Sequence, residues 1–161
     1  MKHPRHNSPT TPSYSGRFIA SLFYAEYEPS TRILRYVNAG HNPPVVIRPL
    51  AGSLELRHLR STEIPVGISP NSEFPATTFQ LEVGDVLVAY TDGITEAENS
   101  EGEQWGMQRL ENLLRSPACA DSTPERIIEC ILDEVSAFSK GQRQRDDVTL
   151  IVMNVQAGCD V

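Results

Sequence analysis

Two short acidic sequences carry residue types that could do chemistry. Thr91-Asp92-Gly93 follows the apolar run Val86-Leu87-Val88-Ala89-Tyr90, and Asp146-Asp147 leads into Val148-Thr149-Leu150-Ile151-Val152. Carboxylates at the ends of neighbouring buried strands are held rigidly, and two close carboxylates repel unless a proton or a cation lies between them. Hard divalent cations such as Mg²⁺ and Mn²⁺ take oxygen ligands of that kind. Each sequence alone has a plainer reading: Asp-Gly is a common turn dipeptide, and Asp-Asp before a strand is often a solvated edge. A third segment, Arg35-Tyr36-Val37-Asn38-Ala39-Gly40-His41-Asn42-Pro43-Pro44, ends another strand in a polar turn.

These residues need elements to hold them. Phe18 to Tyr27 is aromatic, apolar and too short for a helix, and predicts a buried strand. Glu28-Pro29-Ser30-Thr31 turns the chain, and Ile33–Asn38 returns it as a strand stopped by Ala39-Gly40 and Pro43-Pro44. Val45–Ile47 and Ser53–Leu56 form a hairpin across Pro49–Gly52. Ser61–Ser72 is a loop punctuated by Pro65, Gly67 and Pro70. Phe74–Leu81 and Asp85–Tyr90 are two strands joined by Glu82-Val83-Gly84. Met107, Leu110, Leu113 and Leu114 then recur at helical spacing. A longer helix runs from Pro124 to about Lys140, with Ile127, Ile128, Ile131, Leu132, Val135 and Phe138 on one stripe. Ser122-x-x-Glu125 reads as its capping box and Gly141 as its stop. A polar loop over Gly141–Asp147 precedes a last apolar strand, Val148–Val155. Strands, then helices, then a strand predict an α+β fold with helices laid on antiparallel sheet.

Composition narrows the function classes. The 161 residues carry 14 Lys and Arg against 21 Asp and Glu, a formal charge of −7, which argues against nucleic acid or an anionic membrane as partner. Seven of the acids (Glu82, Asp85, Asp92, Glu96, Glu98, Glu101, Glu103) lie in one stretch without a Lys or Arg, so that stretch accounts for the whole excess. By composition it is a solvated acidic loop. Cys119, Cys130 and Cys159 are odd in number and lack metal-site spacing, which predicts neither a disulfide framework nor a zinc site and fits a reduced, cytoplasmic setting. Nowhere do about 18 apolar residues run together, so no membrane span is expected. Residues 1–16, rich in Pro, Ser and Thr, read as a disordered lead-in.

Taken in order, the Arg35–Pro44 segment, Thr91-Asp92-Gly93-Ile94-Thr95-Glu96-Ala97 and Arg145-Asp146-Asp147-Val148-Thr149-Leu150 closely resemble the PPM-type (protein phosphatase 2C-like) serine/threonine phosphatases. The likeness is to the bacterial branch of stage II sporulation E and sigma-factor-regulating phosphatases. Leu22-Phe23-Tyr24-Ala25, Pro65-Val66-Gly67, Glu82-Val83-Gly84-Asp85 and Trp105-Gly106 agree with it. The resemblance covers about residues 17–155 and implies one partial phosphatase domain over 17–156, followed by a tail over 157–161. The implied architecture is an antiparallel β-sandwich flanked by helices, the αββα arrangement of that family.

By the same resemblance, Asp92 and Asp146 match metal-ligating aspartates of the family. Asp147 is the polar residue beside the second, Glu96 is an accessory acid near the metals, and Gly93 accompanies Asp92. Asn38, Gly40 and His41 match a strand-end turn facing the centre; on residue chemistry alone, a His41 imidazole bonding the Asn42-Pro43 turn is a plainer reading than a catalytic one. Thr91 and Thr95 are scaffolding around Asp92. The family chemistry uses two Mn²⁺ or Mg²⁺ ions, whose shared water attacks a phosphoserine or phosphothreonine in line without a phosphoenzyme. The implied substrate is a phosphorylated signalling protein of the anti-sigma-factor-antagonist type.

The family's Gly-Asp-x-x-Asp and Asp-Val-x-Gly-x-Gly motifs, which precede the Leu22-Phe23-Tyr24-Ala25 strand, have no counterpart here, and residues 1–16 contain no Asp or Glu. The expectations are a weak or single-ion site, little or no autonomous turnover, and the absence of the strands and helix pair that cover one face of the sandwich. The bared apolar face predicts self-association. The alternative is a degenerate, non-catalytic phosphatase fold that binds a signalling partner.

Overall fold

Alternation sets the first strand: Phe23, Ala25 and Tyr27 are the more buried set, while Leu22, Tyr24, Glu26 and Glu28 are exposed. In the computed structural model, which describes residues 18–119, 122–142 and 146–157, β1 (Leu22–Glu28) pairs antiparallel with β2 (Ile33–Ala39), and β2 with β5 (Thr77–Gln80). The second sheet has the order β4-β3-β6-β7, built from β3 (Val45–Leu50), β4 (Ser53–His58), β6 (Val86–Tyr90) and β7 (Leu150–Asn154), all antiparallel. Three helices, α1 (Asp92–Thr95), α2 (Gly106–Leu114) and α3 (Pro124–Ser139), separate β6 from β7. The α+β expectation holds. The lead-in read at 1–16 lies outside the described residues, as does the tail beyond residue 157.

Two cores follow from the alternation. On one face of the four-stranded sheet, Val45, Ile47, Val86, Val88 and Tyr90 pack against Ile94, Trp105, Leu110, Leu114, Ile127 and Ile131 from the helical segment. On the other face, Val46, Leu87 and Val155 meet Leu34 and Tyr36 of the three-stranded sheet. The layers are therefore helix, sheet, sheet, and among the described residues no helix covers the outer face of β1-β2-β5. Ile151 alternates with Leu150 and Val152, which pack toward the helices, yet it is 61% exposed, whereas Met153 further along β7 packs into the core between the sheets, so the three-stranded sheet leaves only the Ile151 end of β7 uncovered.

Several local expectations need correction. Instead of spanning Phe18–Tyr27, the first strand starts at Leu22. Residues 18–20 fold instead against 66, where Ala20 and Val66 exchange two backbone hydrogen bonds at 3.1 and 2.9 Å. The strand expected at Phe74–Leu81 shortens to Thr77–Gln80, beginning only after Pro75, which has no N–H for a ladder. The cap of α3 is Thr123, whose Oγ1 accepts from Arg126 N at 3.3 Å; Ser122 instead donates its hydroxyl to Ala118 O at 2.9 Å. The acidic stretch is not uniformly solvated, because Asp85 is fully buried. Its carboxylate accepts Arg48 Nε at 2.9 Å and Nη2 at 2.6 Å. Among the described residues, no helix is long and apolar enough to cross a membrane.

Candidate metal centre

The β6–β7 register decides which residues meet. Tyr90 lies opposite Leu150, so the next residues out, Thr91 and Thr149, face each other where the sheet ends. Thr91 N donates to Thr149 O at 3.0 Å. The Thr91 hydroxyl accepts from Thr149 N at 2.9 Å and donates to Asp147 O at 2.9 Å. The chain then turns directly into α1, with Asp92 as its first residue and the fully buried Ile94 as its anchor. Glu96 closes that turn by donating its N–H to Asp92 O at 2.7 Å.

Gly93 makes the close approach possible. It is buried, and a Cβ built there would stand 2.7 Å from Asp147 O and 3.2 Å from Asp146 O. The α1 backbone thus lies directly against the peptides that carry Asp146 and Asp147. The Asp92, Asp146 and Asp147 residues are exposed at this junction. Beside it opens a cavity of about 430 Å³ bordered by Gly93, Glu96, Glu98, Asp146, Leu132 and Val135, among others. Leu132 turns to this cavity and is 41% exposed, so it leaves the buried stripe that helical periodicity assigned to it.

The other predicted residues stand further off. Asn38 is fully buried and works inside the turn: its Nδ2 donates to Leu59 O at 3.0 Å and its Oδ1 accepts His41 N at 2.8 Å. The His41 ring shares a hydrogen bond with Ser21 Oγ at 3.1 Å, in place of the expected bond to the Asn42-Pro43 turn. This turn reaches α1 through Asn42 Nδ2, 3.4 Å from Thr95 Oγ1. Tyr90 lies beneath the centre; burial foremost, and the Glu111 carboxylate, push its phenol up to about 12. It stays a neutral donor to Pro43 O at 3.3 Å. Sequence reasoning missed the cavity's α3 wall, for which no local signal exists, and the dual bonding of Thr91.

The donor chemistry fits a hard divalent cation, since the residues that the backbone approach at Gly93 brings to one junction, Asp92 and Asp146, both offer carboxylate oxygens. Among the described residues, however, no group of three or more His, Cys, Asp or Glu is placed to hold an ion. Asp92 and Asp146 by themselves would fill only part of the shell that such an ion takes.

Comparisons with known proteins bear on the fold and the family. Protein IcfG of Synechocystis sp. is 34% identical over 135 residues, covering 83% of this chain and 20% of IcfG. Phosphoserine phosphatase RsbU of Bacillus subtilis is 27% identical over 135 residues, covering 83% of this chain and 38% of RsbU. The solved phosphatase domain of the cell-fate determinant SpoIIE from Bacillus subtilis superposes with a TM-score of 0.63 at 18% identity, covering 92% of this chain and 61% of that one. The SiaA-PP2C domain of Pseudomonas aeruginosa gives 0.61 at 22% identity, covering 77% and 47%. The chain thus spans well under half of these curated relatives, and its fold is that of PP2C phosphatase domains. The model of the stage II sporulation protein E family matches residues 5–156, and the chain belongs to that family.

Proposed function

We propose that the chain is part of a metal-dependent protein serine/threonine phosphatase of bacterial signalling, with Asp92 and Asp146 as ligands of Mn²⁺ or Mg²⁺. The observation that carries this reading is the convergence of two acidic strand ends, with Gly93 packed on the Asp146–Asp147 backbone. A bound cation would supply a water of lowered pKa and offset charge on the phosphoryl oxygens. The chain's own residues hold and space the carboxylates, and Glu96 and Asp147 add negative charge beside them. RsbU and RsbP are named phosphoserine phosphatases, which supports a phosphoserine substrate; that it is a signalling protein of the anti-sigma-factor-antagonist type follows from the family resemblance alone. The free thiols of Cys119 and Cys130 accord with a cytoplasmic setting.

Two carboxylates fill a minority of the six or so positions such an ion prefers, so we expect a weak, single-ion site and little turnover by this chain alone. Mn²⁺ should broaden the amide resonances of Asp92 and Asp146 in the wild type and not in Asp92→Asn. No broadening in the wild type would sink the metal reading. Robust Mn²⁺-dependent hydrolysis of p-nitrophenyl phosphate, abolished by Asp92→Asn, would uphold the phosphatase and overturn the partial site. A non-catalytic module that binds a signalling partner is the second reading, favoured by the lack of a third ligand among the described residues. Binding a phosphoprotein with Mn²⁺ present and leaving the phosphate in place would select it.

The same reading includes self-association. Phe18 is 79% exposed and Ile19 62%, close to the exposed Leu22, Ile64 and Val66, and among the described residues β1 is an edge strand paired with β2 alone. A patch of this kind promotes pairing with a second copy. Light scattering should show dimers or larger species as concentration rises, and a clean monomer throughout would count against this.

A further inference from the structure

We propose that Thr91 is a positioning residue that sets the spacing of Asp92 and Asp146 through its hydroxyl, and thereby tunes cation affinity. This rests on the reading of those two carboxylates as ligands. In an antiparallel pair, directly opposed residues can exchange both backbone hydrogen bonds. Thr91 and Thr149 make one of them, Thr91 N to Thr149 O at 3.0 Å. For the other, Thr149 N goes to the Thr91 hydroxyl at 2.9 Å.

The substitution releases the Thr91 carbonyl, which accepts Ile94 N at 3.1 Å and closes the first turn of α1. Thr91 itself is extended, at φ −87° and ψ 163°. One hydroxyl therefore lets the chain finish a sheet and begin a helical turn at a single residue, which is how Asp92 comes to sit at the sheet's edge. The proton of that hydroxyl goes to Asp147 O at 2.9 Å, the carbonyl against which Gly93 packs. The atom that frees α1 to carry Asp92 also holds the peptide following Asp147, the neighbour of Asp146.

Valine matches threonine in shape and can neither accept from Thr149 N nor donate to Asp147 O, whereas serine can do both. The test is a Mn²⁺ titration of wild type, Thr91→Val and Thr91→Ser, followed by paramagnetic broadening at Asp92 and Gly93 and separately at Asp146 and Asp147. Groups supporting metal ligands typically contribute 10- to 100-fold in affinity, so the half-saturating Mn²⁺ concentration should rise about tenfold in Thr91→Val. Thr91→Ser should restore it. Broadening at Asp146 and Asp147 should also fall relative to that at Asp92 and Gly93. A merely structural role would lower both pairs together, in step with the folded fraction.

Wild-type affinity and an unchanged ratio in Thr91→Val would overturn the proposal while leaving the metal reading intact. No broadening in the wild type would overturn both. If Thr91→Val does not fold, Thr91→Cys, a weak donor and acceptor of similar size, should give an intermediate shift, and wild-type affinity there would overturn the proposal.

Discussion

Asp85→Ala is expected to destabilise the domain by about 3 kcal/mol, the low end of the cost of removing one partner of a buried ion pair, because the exposed Glu82 still faces Arg48. Arg48 sits on β3, a strand of Val45, Val46 and Ile47, with the residue only 6% exposed. Its guanidinium meets both Asp85 oxygens, donates Nη2 to Gln80 O at 2.9 Å and lies 5.8 Å from the Phe79 ring centroid. Gln80 and Phe79 belong to the three-stranded sheet, so Arg48 ties the two sheets together. Asp85 also accepts Glu82 N at 2.9 Å, ordering the turn into β6. Without the carboxylate, Arg48 keeps one carbonyl and the exposed Glu82, 2.6 Å away. Urea unfolding should show the loss as a lower midpoint. Arg48→Met combined with Asp85→Leu should recover much of it, because an apolar pair of similar volume leaves no unpaired charge. An Asp85→Ala midpoint equal to wild type would refute the stapling role.

Gly93→Ala is expected to cost about 1–3 kcal/mol, the range for forcing a methyl into a packed site, and to do more damage to cation binding than to the fold. The obstructing atoms are the Asp147 and Asp146 backbone, which cannot swing aside as the tip of a side chain could. Relief must come from pushing the acidic loop away from α1, so Mn²⁺ broadening should persist weakly at Asp92 and vanish at Asp146. Undiminished broadening at both residues in a folded Gly93→Ala protein would show that the close approach does not matter. As part of an Asp-Gly dipeptide, Gly93 suggests a turn needing positive φ. The structure assigns it a different purpose, because it sits in the first turn of α1 and is small so that two backbones can touch.

Much of the architecture was legible in the sequence because it depends on near neighbours. The hairpin of β3 and β4 follows from apolar runs around Pro49–Gly52, and α3 from apolar residues three and four apart. Asp92 and Asp146 were recognisable as residues beside strands because the runs next to them are so apolar, although the expected Val148–Val155 strand shortens to Leu150–Asn154 and leaves Asp146 in the loop before it. The position of the α3 cap was not legible, since Ser122 and Thr123 are adjacent cap formers, serine the better of the two, and only the backbone path selects Thr123. Arg48 carried an unused signal: an arginine inside an apolar strand needs a buried carboxylate. Which of the 21 acids answers it depends on a contact 37 residues away in the chain.

The sequence by itself determined the order of the strands, the two longer helices and the family, for periodicity and ordered motifs survive without three-dimensional context, whereas the short α1 at Asp92–Thr95 has no such periodicity. Only the tertiary structure decided the register that sets Thr91 against Thr149, 58 residues apart, the packing of Gly93 on the acidic loop, and the turning of Leu132 from the core to the cavity. Those outcomes come from the packing of distant segments, where one residue of slip would send every side chain of a strand to the opposite face.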